Sequence, residues 1–286
     1  MQWWCSALGT PWSWTWRPYP GVWLFVLGLL LACIVIRRRA DRPAGREHAH
    51  AVWLALGVVL VWVALDWPVG ALGGYLASAH MAQFLLLALT APPLILLGLH
   101  PAVGGPAVAG DSGPAMRSGS PAGAPGPVRR LVTHPLVAIA VFSAVVILTH
   151  LPVVTDRLMP TQAGSFAIDT AWFGAGLLFW WPVVSPDRPA WFGTPLRIVY
   201  LFANMVLMTA PGAMITFSDL PIYATFELAP PIPGITPIND QRLAGLNMRV
   251  GSAIATWLAI SILFLRWNRD EERQMREEAE AVRSAS

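Results

Sequence analysis

Long apolar runs separated by short polar segments dominate the sequence. We identify seven such runs, at about 20–37, 50–66, 72–99, 135–151, 165–184, 196–217 and 246–266. A helix needs roughly 20 residues, at 1.5 Å rise per residue, to cross a bilayer. Backbone polar groups inside lipid must bond to one another, and the runs do not alternate as barrel strands would. The pattern predicts an all-α, polytopic membrane protein with seven transmembrane helices.

The composition agrees with this prediction. Apolar residues make up 55% of the chain and charged residues 12%, against roughly 25% charged residues in soluble proteins. So few charges exclude a soluble globular domain, a disordered chain and a coiled coil. The net charge of +3 is small, so nucleic acid is not an expected partner, whereas the lipid bilayer is.

The arginines indicate an orientation. Of the 19 arginines, 15 lie in the first, third and fifth connections or after the last run, and four lie in the alternate positions. Basic residues are enriched on the cytoplasmic side of membrane proteins. The distribution therefore predicts an external N-terminus and a cytoplasmic C-terminus.

Three segments differ from the transmembrane pattern. Residues 101–127 are rich in Pro, Gly, Ala and Ser, which predicts a flexible cytoplasmic loop within a transmembrane domain of residues 1–266. Residues 267–286 place acids and bases three and four apart, as in an exposed cytoplasmic helix. The tryptophan-rich start of the chain predicts an anchor at the outer interface. In the third run, Pro92 and Pro93 predict a kink.

Ionisable and soft side chains collect on the predicted outer side. They are Asp66, His80, His150, Asp169 and Met248, with Gln83 three residues after His80. Placing an ionisable side chain within lipid costs free energy, so such a residue indicates a structural or functional role. Imidazole and thioether are copper ligands, and thioether favours Cu(I). The cluster therefore indicates a candidate metal site.

Each of these residues also has a plain structural interpretation. His80 could hydrogen-bond across helices, and His150 could cap a helix end. Asp66 could pair with Arg157 or Arg242, and Met248 could simply pack. The cysteines, Cys5 and Cys33, form no metal-binding CxxC pair, and we expect no disulfide between them. The sequence contains no P-loop, HExxH or GxSxG motif, so no enzymatic activity is indicated.

Five segments together resemble the CtaG family, seven-helix assembly factors for haem–copper cytochrome c oxidase. They are SAHMAQFLLLALTAPPLILLG (78–98), THLP (149–152), GLLFWWPVV (176–184), LPIYATF (220–226) and DQRLAGLNM (240–248). The resemblance implies a bacterial cytoplasmic-membrane protein that helps to mature the oxidase and its copper centres near the outer face. Its expected partners are oxidase subunits.

The resemblance also implies site residues. His80 and His150 correspond to the motif histidines of the third and fourth helices, and Asp240, Gln241 and Met248 to the last outer motif. The chain departs from the family in three places. Phe84 stands where many members carry a second histidine, Ser165 and Asp169 stand where members often carry histidines at the start of the fifth helix, and Arg249 stands where a Trp is common. We therefore expect copper, if bound, at His80, His150, Asp169 and Met248, with Asp66, Gln83, Asp240 and Gln241 around it. The alternative is a structural subunit of a respiratory or photosynthetic membrane complex whose metal site has degenerated.

Overall fold

The computed structural model describes residues 2–7, 9–39, 47–103, 134–185, 188–189 and 191–285. Within these ranges the regular structure is entirely helical. In chain order the elements are α1 (Pro20–Arg38), α2 (Glu47–Leu65), α3 (Val69–Leu72), α4 (Ala77–Phe84), a π-helix (Leu85–Thr90), α5 (Ala91–Val103), α6 (Pro135–Thr149), α7 (Pro152–Leu158), α8 (Gln162–Val184), α9 (Thr194–Phe217), α10 (Ala224–Glu227) and α11 (Pro237–Ala285).

Six helical segments of the described chain are long and apolar enough to cross a membrane. They are α1, α2, the continuous segment from α4 to Leu99 in α5, α8, α9 and α11. A seventh segment exists only if α6 and α7 are one span, since they meet at an angle of 72°. The fold is thus all-α with six or seven candidate spans; the orientation of the termini stays a prediction.

Several predicted boundaries differ from the structure. The third run does not begin as a helix at residue 72, because α3 ends at Leu72 and α4 begins only at Ala77. The last helix begins at Pro237, not near 246, and continues without a break to Ala285. Residues 101–103 of the predicted loop extend α5, and the rest of that loop lies outside the described residues. Nothing in 246–285 is a proline, so the helix has no local reason to stop.

The π-helix lies directly before Pro92 and Pro93, where the sequence predicts a kink. Proline has no N–H to donate, so carbonyls one turn earlier lose their usual partners. The Ala91 N–H bonds to the Leu86 carbonyl, five residues back, and the Thr90 hydroxyl donates to the Leu85 carbonyl at 3.0 Å. The span thus widens into π-helical turns just before the proline pair and stays continuous through it.

The segment from α4 to α5 lies at the centre of the bundle and is its most buried span, whereas α1 is the least buried. Helices approach closely at glycines. A Cβ on Gly176 of α8 would lie 2.9 Å from the Ala88 Cα, and one on Gly245 of α11 would lie 2.8 Å from the Gly212 oxygen. Small residues allow such contacts between membrane helices, where apolar burial alone gives no driving force.

Candidate functional site

All eight residues predicted for the site are buried at one end of the bundle. Each exposes at most 5% of its surface: Asp66, His80, Gln83, His150, Asp169, Asp240, Gln241 and Met248. They come from the end of α2, the start of α4, the end of α6, and the starts of α8 and α11. The structure separates them into groups with different partners.

His80 and Asp169 line one small cavity, together with Gln83. The cavity has room for about one water molecule, at about 10 Å³, and its other walls include Cys5 and Met159. The Nδ1 atom of His80 is buried and has no hydrogen-bond partner among the described residues. Gln83 donates from Nε2 to the Ala64 carbonyl at 3.0 Å, which fixes its side chain between α4 and α2.

The N-terminal segment closes this cavity. Trp4 is 1% exposed and donates from Nε1 to Asp169 Oδ2 at 2.8 Å. The Trp3 and Trp4 backbone N–H groups both donate to Gln162 Oε1, at 2.7 and 3.3 Å. The predicted interfacial anchor is therefore wrong for Trp4, which is part of the protein interior. Trp14 is exposed, as an interfacial residue would be.

Cys5 also lines the cavity, although no sequence pattern distinguishes it as a site residue. Its thiol donates to the Leu65 carbonyl at 3.1 Å. Burial raises the pKa of the Cys5 thiol well above its usual value, and the nearby Asp169 carboxylate raises it further. The group is therefore a neutral thiol at neutral pH. Cys5 and Cys33 are both free, as expected.

His150 belongs to a second group. Its Nδ1 lies 2.7 Å from the Val146 carbonyl oxygen, and its Nε2 lies 3.3 Å from the Met81 sulfur. A carbonyl oxygen can only accept, so we assign the proton to Nδ1. In the neutral ring, the Nε2 lone pair then faces the thioether. The Tyr223 hydroxyl donates to the His150 carbonyl at 2.9 Å and holds this helix end in place.

Trp172 packs against both histidines. Its ring centroid is 4.7 Å from that of His80 and 6.0 Å from that of His150. Its Nε1 donates to the Thr149 hydroxyl at 2.8 Å, and Phe84 packs edge-on against His150 at 5.2 Å. The structure thus brings both histidines to one aromatic ring but not into one cavity. Across the described ranges, no group of three His, Cys, Asp or Glu residues could hold a metal ion.

Asp240 and Gln241 join the start of α11 to other segments. Asp240 accepts hydrogen bonds from the Ala77 N–H at 2.6 Å, the Ser78 N–H at 3.2 Å and the Ser78 hydroxyl. A carboxylate at a helix N-terminus satisfies backbone donors that have no partner within the helix. Gln241 accepts from the Ile222 N–H at 2.7 Å and donates to the Leu220 carbonyl at 3.2 Å.

Asp66 and Met248 also lie within the packed interior. Asp66 Oδ2 accepts from Trp23 Nε1 at 3.0 Å, and Oδ1 is buried with no partner in the described part of the chain. Met248 is completely buried in α11. The sulfur that contacts His150 is that of Met81, which the sequence does not distinguish from an ordinary packing residue. Trp4 and Trp172 were missed for the same reason.

Proteins of two mycobacteria illustrate what this chain is similar to. An uncharacterized protein of Mycobacterium tuberculosis is 26% identical over 261 residues, which covers 87% of this chain and 38% of that protein. One of Mycobacterium leprae is 26% identical over 279 residues, covering 91% of this chain and 40% of that protein. The chain therefore spans about two fifths of the length of these curated relatives. No solved structure gives a significant match.

The resemblance noted from the five motifs is confirmed by a family match. Residues 27–270 match the family described as cytochrome c oxidase caa3 assembly factor. The matched region contains every predicted site residue and extends from α1 into the last helix. This chain belongs to the cytochrome c oxidase caa3 assembly factor family.

Proposed function

We propose that this protein helps to assemble a cytochrome c oxidase, without catalysing a reaction of its own, and that it acts on copper-centre maturation at the outer face. The family match over residues 27–270 is the observation that carries the assembly role. We further propose a seven-span topology in the bacterial cytoplasmic membrane, with the N-terminus outside. The arginine distribution supports this orientation.

The contact between His150 and Met81 supports a role for copper. The imidazole Nε2 and the thioether sulfur face each other at 3.3 Å, and both are electron-pair donors. Neither atom has a proton to give to the other, so a cation between them would satisfy both. Imidazole and thioether ligands together suit Cu(I).

The distance between these atoms is also compatible with a shared ion. By analogy with zinc sites, metal–nitrogen and metal–sulfur bonds are about 2.0 and 2.3 Å, so two donors on one ion lie up to about 4.3 Å apart. The observed 3.3 Å is within that limit. In this proposal His150 and Met81 hold the ion, and Met81 takes the place that the sequence assigned to Met248.

His80 and Asp169 have a separate place in the proposal. His80 lines the cavity with Asp169 and Cys5, and its Nδ1 has no hydrogen-bond partner among the described residues. Because Trp4 Nε1 donates a hydrogen bond to one carboxylate oxygen of Asp169, His80 and Asp169 cannot both bind an ion while Trp4 keeps this position. We propose that it is a second, weaker position for copper, available when the N-terminal segment moves.

Complementation of a strain that lacks the protein tests the assembly role and the copper role separately. The strain is supplied with the wild type or with His150→Gln, Met81→Leu or His80→Gln. Met208→Leu is the matched control, because Met208 is an equally buried methionine in α9. Membrane abundance of the protein, oxidase activity and the copper-to-haem ratio of the purified oxidase are measured.

The expected result is normal abundance of each variant. For His150→Gln and Met81→Leu, the copper-to-haem ratio of the oxidase falls toward the ratio in the strain that lacks the protein. For Met208→Leu the ratio equals that of the wild type. Normal oxidase in the His80→Gln, His150→Gln double variant would refute the copper role while leaving the assembly role intact. Normal oxidase activity in the strain that lacks the protein would refute the assembly role.

The alternative, a structural subunit of a membrane complex, is favoured by one observation. No three-ligand metal group occurs in the described ranges. Stoichiometric recovery of the protein with a mature respiratory or photosynthetic complex, together with unaltered copper in all variants, would establish this alternative.

A further inference from the structure

An open groove lies between α1 and α2, at the end of the bundle opposite the candidate site. It encloses about 260 Å³ and is lined by Leu30, Ile34, Arg37 and Arg38 of α1 and by Ala51, Leu54 and Ala55 of α2. The spacings of four, seven and eight residues along α1, and of three and four along α2, place each set on one helix face. The alanines of α2 leave the space that larger side chains would fill.

The groove is apolar along its length and basic at one end. From Leu30 to Arg38 it runs about 12 Å along α1, at 1.5 Å per residue. Arg37 and Arg38 lie in the last turn of α1, where a membrane helix meets the polar headgroup layer. An apolar wall that ends in paired positive charges complements a molecule with an acyl chain and an anionic head.

The packing of α1 also leaves this space to lipid. Only 11% of the residues in the apolar window of α1 are buried inside the protein, the smallest share among the six candidate spans. A second copy of the chain is a poor occupant, because it would bring another Arg37–Arg38 pair against the first. Basic pockets between membrane helices are a recognised form of binding site for anionic lipid headgroups.

We propose that this groove binds an anionic phospholipid, with the phosphate at Arg37 and Arg38 and an acyl chain along Leu30, Ile34 and Leu54. The proposal is independent of the assembly function, since none of these residues belongs to the candidate site. It assigns the ligand class as phosphatidylglycerol or cardiolipin, not a zwitterionic lipid. The bound lipid completes the contact between α1 and α2.

Lipid titration of the purified protein in detergent tests the proposal. Phosphatidylglycerol, cardiolipin and phosphatidylcholine are added separately, and bound lipid is counted by native mass spectrometry. We expect retention of the two anionic lipids and little retention of phosphatidylcholine. Each arginine near a membrane surface contributes about 1 kcal/mol to anionic lipid binding, so Arg37→Gln with Arg38→Gln should weaken binding by about 30-fold.

Two controls separate the groove from general membrane charge. Arg266→Gln with Arg269→Gln removes two exposed arginines elsewhere and should leave binding unchanged. Ala55→Leu fills the groove without changing charge and should weaken binding, whereas Ala32→Leu, on the other face of α1, should not. Equal retention of phosphatidylcholine, or unchanged binding in both the arginine and the Ala55 variants, would overturn the proposal. If Ala55→Leu abolishes dimerisation and leaves lipid binding unchanged, the proposal is also overturned, and the groove is then the contact with a second copy of the chain.

Discussion

Removal of the Asp240 carboxylate should destabilise the bundle more than removal of any exposed acid. Asp240 lies at the start of α11, yet it caps the start of α4, 163 residues away in the chain. It accepts from the Ala77 N–H, the Ser78 N–H and the Ser78 hydroxyl, and Ala77 and Ser78 are buried. In Asp240→Ala these donors lose their partner and have no direct access to water.

The size of the effect follows from the number of donors left without a partner. A buried donor left unsatisfied costs about 1–3 kcal/mol, and loss of an N-cap side chain costs about 0.5–2 kcal/mol. The Ser78 hydroxyl can rotate to another acceptor, so the two backbone N–H groups dominate. We expect Asp240→Ala to lower the free energy of unfolding by about 2–4 kcal/mol. Asp240→Asn keeps one acceptor oxygen, so it should cost about half as much.

Thermal unfolding in detergent measures the difference, with the folded fraction followed by size-exclusion chromatography after heating. For a chain of this size, 1 kcal/mol shifts the Tm by about 2–4 °C, so we expect a decrease of about 5–15 °C for Asp240→Ala. Asp219→Ala, at an exposed acid before α10, is the control and should stay near wild type. A Tm for Asp240→Ala equal to that of the control would refute the capping role and would leave Asp240 as a purely functional residue.

Three further results are expected. A reporter fused after the last residue should be active only in the cytoplasm and one at the N-terminus only outside; the reverse pattern would invert the assigned sides. Trp4→Phe removes the donor to Asp169 and should cost about 1–3 kcal/mol in the same unfolding assay, whereas Trp14→Phe, at an exposed ring, should cost almost nothing. In a Cys33→Ser background, Cys5 should react slowly with a maleimide at pH 8, because its raised pKa keeps the thiol protonated there. Trp4→Ala should accelerate the reaction by opening the cavity. A fast reaction of Cys5 with Trp4 in place would contradict the burial of Cys5.

The apolar runs were sufficient to predict the all-α fold class. A chain segment in lipid must satisfy its own backbone, so a long apolar run predicts a helix whatever surrounds it. The spans at 20–37, 165–184 and 196–217 agree closely with α1, α8 and α9 for this reason. The family resemblance depended on short motifs with fixed order and spacing, which are also local features of the chain. Asp66, His80, Gln83, His150 and Asp169 were proposed as candidates because a polar group within or at the end of an apolar run is conspicuous. Asp240 and Gln241 were proposed from the family resemblance.

Their partners could not be predicted, because they depend on how the helices are rotated against one another. A helix that is apolar on all sides carries no periodic signal for the face that meets a neighbour. Thus Trp172 packs against both His80 and His150, and the thioether beside His150 is that of Met81, whereas the sequence indicated Met248 as the soft candidate ligand. The N-terminal segment reaches Asp169 across 165 residues of sequence, a distance over which no local pattern operates. Such contacts form only when packing brings distant segments together. A polar group buried away from water must form its hydrogen bonds with the neighbours that this packing supplies.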